Sequence, residues 1–223
     1  RALAITTGKP VLRDAALKIP THETGRGRIS RSSYFDILTP TNEIFLDLEG
    51  TGFEEEGLPV TNYLIGAITR TQAQSGYQAF FAEKPEDEGL VLAAFCDYVA
   101  SFEKCTIFHW GTYERTYLEK MMHHHELPTT IRELVLQQLV DLRPLLTQAF
   151  AFPTYKDGLK EIARYLGFEW QQEDVNALAS IALYQEYLAG DTESKQRILT
   201  YNEDDCRATM VIKDWFLNQI DNR

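Results

Sequence analysis

The chain has 223 residues, of which 44% are hydrophobic, and it carries a formal net charge of −11. This length and apolar content predict one large globular domain, or a domain with an extension, and exclude a disordered or fibrous chain. The acidic balance argues against a broad basic surface for nucleic acid. The charge is uneven, however, since residues 1–42 hold seven basic and three acidic side chains, so a nucleic-acid partner stays open.

Targeting signals and cysteines bear on the cellular location. No apolar run in the sequence approaches the roughly eighteen residues of a membrane span, and residues 1–18 lack the apolar core of a secretory signal. We therefore predict a cytoplasmic protein without a membrane partner. Cys96, Cys105 and Cys206 form no CxxC pair and are odd in number, which predicts buried thiols rather than disulfides or a structural zinc site.

The N-terminal residues 1–41 are predicted to form an extension or linker ahead of a domain at residues 42–223. They are short of apolar periodicity, and the polar segment GRGRISRSSY at residues 25–34 indicates irregular structure. Two interpretations stay open: a solvated connection to an upstream domain, or an arm whose arginines contact phosphates. Because the chain starts at Arg1 rather than at methionine, we expect a fragment or a processed chain.

The following elements predict an α/β fold. Three strand-like runs separated by turn signals indicate an antiparallel meander, and alternating strands and helices come next. The predicted strands are Glu43–Glu49, Asn62–Thr69, Tyr77–Ala82, Cys105–His109 and Val140–Leu142; the predicted helices are Gly89–Phe102, Thr112–His125 and residues 156–166, 175–189 and 193–218. This order predicts a mixed central sheet, three antiparallel strands followed by parallel strands, flanked by helices.

Two carboxylates, Asp47 and Glu49, lie near the end of the first predicted strand. Side chains two positions apart on a strand point the same way. Two negative charges held beside a hydrophobic core repel each other unless a cation or a proton compensates them. The pair therefore predicts a divalent metal site.

Further acids lie on predicted helices. Tyr201 and Asp205 are four positions apart and share one helix face, whereas Asp204 points about a quarter-turn away. Glu114 falls in the first turn of the helix that follows the predicted strand Cys105–His109 and the turn at Gly111. Each acid also has a simpler interpretation, as a charge that the helix dipole favours at a helix start.

Three other features have a structural and a functional interpretation. The run His123–His125 points in three directions around a helix, which favours a solvated helix end over a metal site. Trp110 is predicted to be core or pocket wall rather than a base-stacking platform. Lys160 is predicted to be an exposed lysine rather than a phosphate ligand. Trp110 and Lys160 are kept as candidate substrate-binding residues.

The order of these motifs resembles the tyrosine-bearing form of the DEDD group in the ribonuclease H-like superfamily. The segment from Asp141-Leu142 to the LKEIARYLGF stretch is also similar to that superfamily, so the resemblance covers residues 42–218. More narrowly, FHWGTYE and YNEDDC resemble the RNase H-like domain of RecB-like nucleases. Two departures are Trp110, where many DEDD exonucleases have Asn, and Glu114, which replaces Asp. The histidine-bearing form is disfavoured because its motif position falls on Thr200.

The resemblance implies a ribonuclease H-like fold and a metal-dependent nuclease of DNA or RNA. It implies a 3′–5′ exonuclease that acts on a single-stranded 3′ end through two Mg²⁺ or Mn²⁺ ions, with a place in DNA repair and an upstream RecB-like nuclease domain or a helicase as partner. The implied catalytic set is Asp47, Glu49, Glu114, Tyr201 and Asp205. The four acids would bind the metals, and Tyr201 would orient the attacking water and accept its proton.

Two other functions stay open. A ribonuclease H-like fold can be kept as a nucleic-acid-binding or scaffolding module with little turnover, although retention of the four acids and Tyr201 argues against it. The DLEGT segment also resembles the DxDGT motif of haloacid-dehalogenase-type phosphatases, where Asp47 would be the nucleophile. That motif requires Asp in place of Glu49 and a later acidic pair that follows an apolar strand, so the nuclease is preferred.

Overall fold

The computed structural model describes residues 2–12, 18–19, 27–28, 31–52 and 61–221. Its strands are β1 (Val11–Leu12), β2 (Lys18–Ile19), β3 (Gly27–Arg28), β4 (Glu43–Gly50), β5 (Asn62–Arg70), β6 (Ser75–Phe81), β7 (Thr106–His109), β8 (Leu139–Asp141) and β9 (Phe150–Ala151). Its α-helices are α1 (Ala2–Thr7), α2 (Arg31–Leu38), α3 (Glu88–Ala100), α4 (Tyr113–His124), α5 (Thr129–Leu136), α6 (Leu142–Ala149), α7 (Leu159–Tyr165), α8 (Ala177–Leu188) and α9 (Thr192–Asp221).

A five-stranded mixed sheet forms the centre of the fold, in the order β6-β5-β4-β7-β8. β4 pairs antiparallel with β5, and β5 pairs antiparallel with β6. β4 also pairs parallel with β7, which pairs parallel with β8. The predicted α/β class with a meander followed by parallel strands is therefore confirmed.

The central strand β4 is hydrophobic because both of its faces are covered. Ile44, Phe45, Leu46 and Leu48 are all buried, as expected of a strand between helical layers. Phe45 stacks on Phe108 of the parallel neighbour β7, with ring centroids 5.6 Å apart. The apolar run is interrupted only towards its carboxyl end, where the two acids occur.

Helix α9 crosses the sheet and is anchored at the end of β4 that is remote from the acids. Arg70, at the end of β5, makes two hydrogen bonds of 2.7 Å to Asp214 on α9. The buried Lys213 forms an ion pair with Glu43 at the start of β4. Because these contacts fix the position of α9 along the sheet, the residues two to three turns earlier on the helix are held over the carboxyl end of β4.

Helices α5 and α6 were not predicted from the sequence. The third residue of α6 is Pro144, which a first helical turn tolerates because its backbone N–H needs no intrahelical partner. Asp141 caps this helix by accepting a hydrogen bond from the Arg143 backbone N–H at 3.0 Å. The short strand predicted at Val140–Leu142 is correspondingly displaced, since β8 ends at Asp141 and Leu142 opens the helix.

The N-terminal segment contains regular structure where irregular structure was expected. Residues 31–38 form α2, and Leu38 belongs to the same buried core as the sheet. β1 pairs with β9, and the Tyr165 hydroxyl donates a 3.0 Å hydrogen bond to the Gly8 carbonyl. Residues 25, 26, 29 and 30 of the polar segment lie outside the described residues. The division of the chain at residue 41 stays a prediction.

Other sequence predictions concern the core and the membrane. All three cysteines are free and buried, as predicted. None of the helices in the described part of the chain combines the length and the apolar character that crossing a membrane requires.

Candidate active site

Three carboxylates meet at the carboxyl end of β4. Asp47 and Glu49 project from this strand, and Asp205 projects from α9. One oxygen of each lies within 4.8 Å of the others. Among the residues that the structure describes, this is the only group of three or more acidic, histidine or cysteine side chains so arranged. The two residues predicted from strand periodicity and the one predicted from helix periodicity thus come together.

A cavity of about 420 Å³ opens over these carboxylates. Its lining includes all five side chains of the predicted catalytic set, since Glu114 and Tyr201 also border it. Apolar residues at the start of α8, namely Ala177, Leu178 and Ile181, contribute to the lining. Leu178 is 65% exposed, so the cavity presents an accessible apolar surface next to a strongly acidic one.

The pKa values of all three carboxyl groups are raised, so simultaneous ionisation of the three is unfavourable. Burial, followed by the charge of Asp205, raises the pKa of Glu49 to about 8. Burial raises the pKa of Asp205 to about 6 even though Trp170 and Lys160 oppose the shift. Burial and the charges of Asp205 and Glu49 raise the pKa of Asp47 well above its ordinary value. A proton or a cation is needed to compensate charges held this closely.

The two adjacent aspartates of α9 have separate environments. Asp205 accepts a 2.6 Å hydrogen bond from the indole Nε1 of the buried Trp170. Asp204 turns away and accepts hydrogen bonds from the backbone N–H and the side-chain amide of Gln171, at 2.7 and 3.0 Å. The prediction that Asp205 shares the face of Tyr201 is confirmed, since both border the cavity.

The simpler interpretation of Asp204 and Asp205, as charges at a helix start, is wrong. α9 begins at Thr192, so both aspartates lie more than three turns inside the helix. The same observation weighs against the phosphatase alternative, which requires the acidic pair to follow a strand. Their burial within the helix instead reflects the partners described above.

Tyr201 is 95% buried beside Asp205. Burial, with the charges of Asp205 and Glu49, raises the pKa of its hydroxyl. The phenol therefore keeps its proton at neutral pH and is a hydrogen-bond donor.

Lys160 is half-buried, whereas an exposed lysine was expected. Its Nζ donates a 2.9 Å hydrogen bond to the Val175 carbonyl and lies 4.6 Å from the centroid of the Tyr201 ring. The positive charge lowers the pKa values of both Glu49 and Asp205, against the larger effect of their burial. Lys160 therefore belongs to the electrostatic surroundings of the carboxylates.

Glu114 lies apart from the group of three carboxylates. It is buried in the first turn of α4, and its Oε2 lies 3.4 Å from Nδ1 of His109. That oxygen has no hydrogen-bond partner among the described residues, and neither has either ring nitrogen of His109. The charge of Glu114 still contributes to the raised pKa of Asp47. The site is thus a compact triad with one neighbouring acid.

Trp110 and the histidines at positions 123–125 lie outside the lining of the cavity. Trp110 packs against the hydrophobic core and is not part of the cavity lining, in agreement with the core interpretation. His123 and His124 are exposed at the end of α4, and His125 lies 2.9 Å from a Glu88 oxygen. The described residues hold no metal-type cluster that includes these histidines.

Three side chains that contact the carboxylates were missed from the sequence, and one of them is Ser180, which hydrogen-bonds to Glu49. Trp170 binds Asp205 as described above, and the Asn202 amide donates a 2.7 Å hydrogen bond to Oδ2 of Asp47. The only sequence signal for Asn202 is its place next to Tyr201. Trp170 lies 35 positions from Asp205, and no spacing rule connects them.

A family model described as RNase_H superfamily matches residues 44–217. The solved structure of the family B DNA polymerase from the hyperthermophilic archaeon Pyrobaculum calidifontis matches with a TM-score of 0.62 and 19% identity, over 80% of this chain and 25% of that chain. At this identity the likeness concerns the fold alone. Comparison with curated proteins gave no match.

The mixed five-stranded sheet and these matches establish a ribonuclease H-like fold, as predicted. The chain spans about a quarter of the length of the polymerase that it matches. The finer resemblances, to the DEDD group and to RecB-like nucleases, stay predictions.

Proposed function

The chain belongs to the RNase_H superfamily, and from this we propose that it is a metal-dependent nuclease that hydrolyses phosphodiester bonds of DNA or RNA. The observation that carries the proposal is the convergence of Asp47, Glu49 and Asp205 within 4.8 Å in an open cavity. In its finer form, the proposal is a 3′–5′ exonuclease that uses two metal ions.

The residues present fit Mg²⁺ or Mn²⁺. Hard carboxylate oxygens are the ligands that these cations prefer. Burial is the main cause of the raised pKa values of Glu49 and Asp205, and a bound cation would favour their ionised forms. The buried Oε2 of Glu114 lies 3.4 Å from Nδ1 of His109 but has no hydrogen-bond partner in the described part of the chain, which supports the proposal that this oxygen binds a further cation.

In the proposed site, Asp47, Glu49 and Asp205 would hold one cation, and Glu114 would hold a second together with Asp47. When bound, such ions polarise the phosphate and lower the pKa of a coordinated water. Through the positive charge of the cations that they hold, the carboxylates would give an acidic protein a local site for a polyanion.

Tyr201 and Lys160 would complete the polar part of the site. The Tyr201 hydroxyl hydrogen-bonds to Asp205, and its pKa is raised by burial and by Asp205, so it would orient the attacking water with its oxygen and would not exist as the phenolate that general-base catalysis requires. The ammonium of Lys160, 4.6 Å from the Tyr201 ring centroid, would hold positive charge close to the substrate phosphate.

The size and the lining of the cavity support action at the end of a nucleic-acid chain. A volume of about 420 Å³ is near the lower limit of ordinary ligand pockets, which begin at about 300 Å³, so the cavity suits a terminal nucleotide better than a duplex. The apolar residues at the start of α8, with the Tyr113 ring in the same lining, would contact an unpaired base. These features support action on an unpaired chain end, and the 3′ polarity of the proposal rests on the resemblance to the DEDD group.

The test is incubation of single- and double-stranded DNA and RNA, labelled at either the 3′ or the 5′ end, with Mn²⁺ or Mg²⁺. An Asp47→Asn variant serves as the matched control. We expect metal-dependent shortening from the 3′ end, seen as a ladder of 5′-labelled products. Degradation no greater than that of the variant would favour the binding or scaffolding module, whereas a stable adduct of a phosphate-mimicking fluoride on Asp47 would favour the phosphatase.

A further inference from the structure

Asn202 connects α9 to the carboxylate of Asp47. Its side chain is completely buried. Its amide nitrogen donates hydrogen bonds to Asp47 Oδ2 at 2.7 Å and to the Asp47 backbone carbonyl at 3.2 Å. Two contacts with the same residue, one on the backbone and one on the side chain, restrict rotation of that carboxylate relative to β4.

Tyr77, on β6, determines which end of this amide faces Asp47. The Tyr77 hydroxyl donates a 2.8 Å hydrogen bond to Oδ1 of Asn202. If the amide were reversed, its oxygen would face two acceptors of Asp47, and the hydrogen bonds would be replaced by repulsion between oxygens. Donation from Tyr77 therefore favours the orientation in which the amide NH₂ points at Asp47.

Gly66, on β5, provides the space for this amide. It is the pairing partner of Asp47 on β4 and of Ala79 on β6. A Cβ atom at Gly66 would lie 1.5 Å from Oδ1 of Asn202 and 3.0 Å from the Tyr77 hydroxyl. Glycine weakens the interior of a strand, and here the close approach of the Asn202 amide to the sheet requires it.

We infer that Asn202 is a positioning residue for Asp47 and that Tyr77 acts through Asn202 to keep the amide in its donating orientation. The inference rests on the proposed function, since it assigns these residues to the placement of a metal-binding carboxylate. Neither Asn202 nor Tyr77 lines the cavity, so neither is placed to contact a substrate bound there. Their effect reaches the site only through the orientation of Asp47.

The test compares Mn²⁺ binding by the wild-type chain with binding by Asn202→Ala and Tyr77→Phe, measured by calorimetry alongside the thermal midpoint of unfolding in EDTA. The matched control is Tyr98→Phe, because Tyr98 shares a 2.6 Å hydrogen bond with Thr69 and does not contact the carboxylates. Loss of an outer partner of a metal ligand weakens metal binding by about 10- to 100-fold. We expect Asn202→Ala to show this loss, Tyr77→Phe a loss of about tenfold, and Tyr98→Phe an unchanged Kd.

The outcomes separate this inference from the proposed function. An unchanged Mn²⁺ Kd in Tyr77→Phe and Asn202→Ala, beside wild-type binding that Asp47→Asn abolishes, would overturn the positioning role alone. Absence of Mn²⁺ binding by the wild-type chain would overturn the proposed function and the inference together. A weaker Kd in Tyr98→Phe equal to that in Tyr77→Phe would also overturn it, since the loss would then follow from a general effect of removing a tyrosine hydroxyl.

Discussion

The indole Nε1 of Trp170 donates a 2.6 Å hydrogen bond to Oδ1 of Asp205, and both side chains are buried. This contact joins the loop between α7 and α8 to the acidic face of α9. A hydrogen bond to an ionised partner contributes about 1.5–3 kcal/mol. It favours the charged form of Asp205 and opposes the effect of burial on its pKa.

Replacement of Trp170 by Phe removes the donor and keeps an aromatic ring. Since the hydrogen bond lowers the pKa of Asp205, we expect that pKa to rise above its value of about 6. Mn²⁺ binding should therefore weaken more at pH 6 than at pH 8.5, which calorimetry at both pH values would measure. The control is Trp215→Phe, because Trp215 packs against Phe150 and Phe152. An equal loss at both pH values in Trp170→Phe would contradict this account.

The raised pKa of Glu49 predicts how the stability of the metal-free protein depends on pH. Folding raises this pKa from 4.5 to about 8, so the folded chain holds more protons than the unfolded chain between these values. The free energy of unfolding should then fall as the pH rises across that window, by a few kcal/mol at about 1.4 kcal/mol per pKa unit. Asp205 contributes with the same sign between 3.8 and about 6.

Thermal unfolding in EDTA from pH 5 to pH 9 would measure this effect. We expect a falling midpoint for the wild-type chain and a flatter profile for Glu49→Gln, which cannot ionise at that position. Added Mn²⁺ should raise the midpoint more at pH 8 than at pH 5, because metal binding competes with protons for the same oxygens. Parallel profiles for the wild-type chain and Glu49→Gln would show that Glu49 does not cause the pH dependence of the unfolding midpoint.

Periodicity was sufficient to predict the parts of the site that lie on regular elements. Asp47 and Glu49 follow from strand alternation within an apolar run, and Tyr201 and Asp205 follow from helical spacing. The succession of strands and helices along the chain could be predicted in a similar way, because buried strands carry long apolar runs.

Contacts between distant segments could not be predicted in this way. Asn202 is 155 positions from Asp47, and it reaches that residue only because α9 crosses the sheet at Gly66. The offset of Glu114 from the triad depends on where α4 begins relative to β7, which no local pattern specifies. Helices α2 and α5 are only eight residues long, too short for their apolar spacing to stand out.

Substitution of Glu114 should impair the binding of a second metal ion without preventing the triad from binding the first. Glu114→Gln removes the charge that lies beside His109 and leaves Asp47, Glu49 and Asp205 in place. We expect one Mn²⁺ to bind nearly as in the wild-type chain and a second, weaker binding event to be lost, with a rate of cleavage at least about tenfold lower. Calorimetric stoichiometry and a labelled-substrate assay would measure these two effects.

The control for this prediction is Glu119→Gln, because Glu119 is on the same helix, is exposed, and pairs with Arg115 at 3.0 Å. It should change neither the stoichiometry nor the rate. Loss of all Mn²⁺ binding in Glu114→Gln would instead place Glu114 among the ligands of the first ion.

Removal of the Lys160 charge should change the affinity for metal and the affinity for nucleic acid in opposite directions. Lys160→Met keeps most of the apolar stem but removes the charge, which lies close enough to lower the pKa values of Glu49 and Asp205. Loss of this cation raises the affinity of Glu49 for a proton, but it should favour a divalent ion more than a proton, so at pH 8.5 it should strengthen Mg²⁺ binding. The same change should weaken binding of a single-stranded oligonucleotide, because one favourable contact with phosphate is lost.

Calorimetry would measure the Mg²⁺ affinity, and fluorescence anisotropy with a labelled oligonucleotide would measure the affinity for nucleic acid. The second assay uses the Asp47→Asn background to prevent cleavage. Lys156→Met is the matched control, because Lys156 is exposed four positions earlier and should leave the Mg²⁺ affinity unchanged. The oligonucleotide affinity of Lys160→Met should also lose part of its salt dependence, since each phosphate contact contributes to that slope. A fall in both affinities would instead indicate that Lys160 supports the fold of the site through its hydrogen bond to Val175.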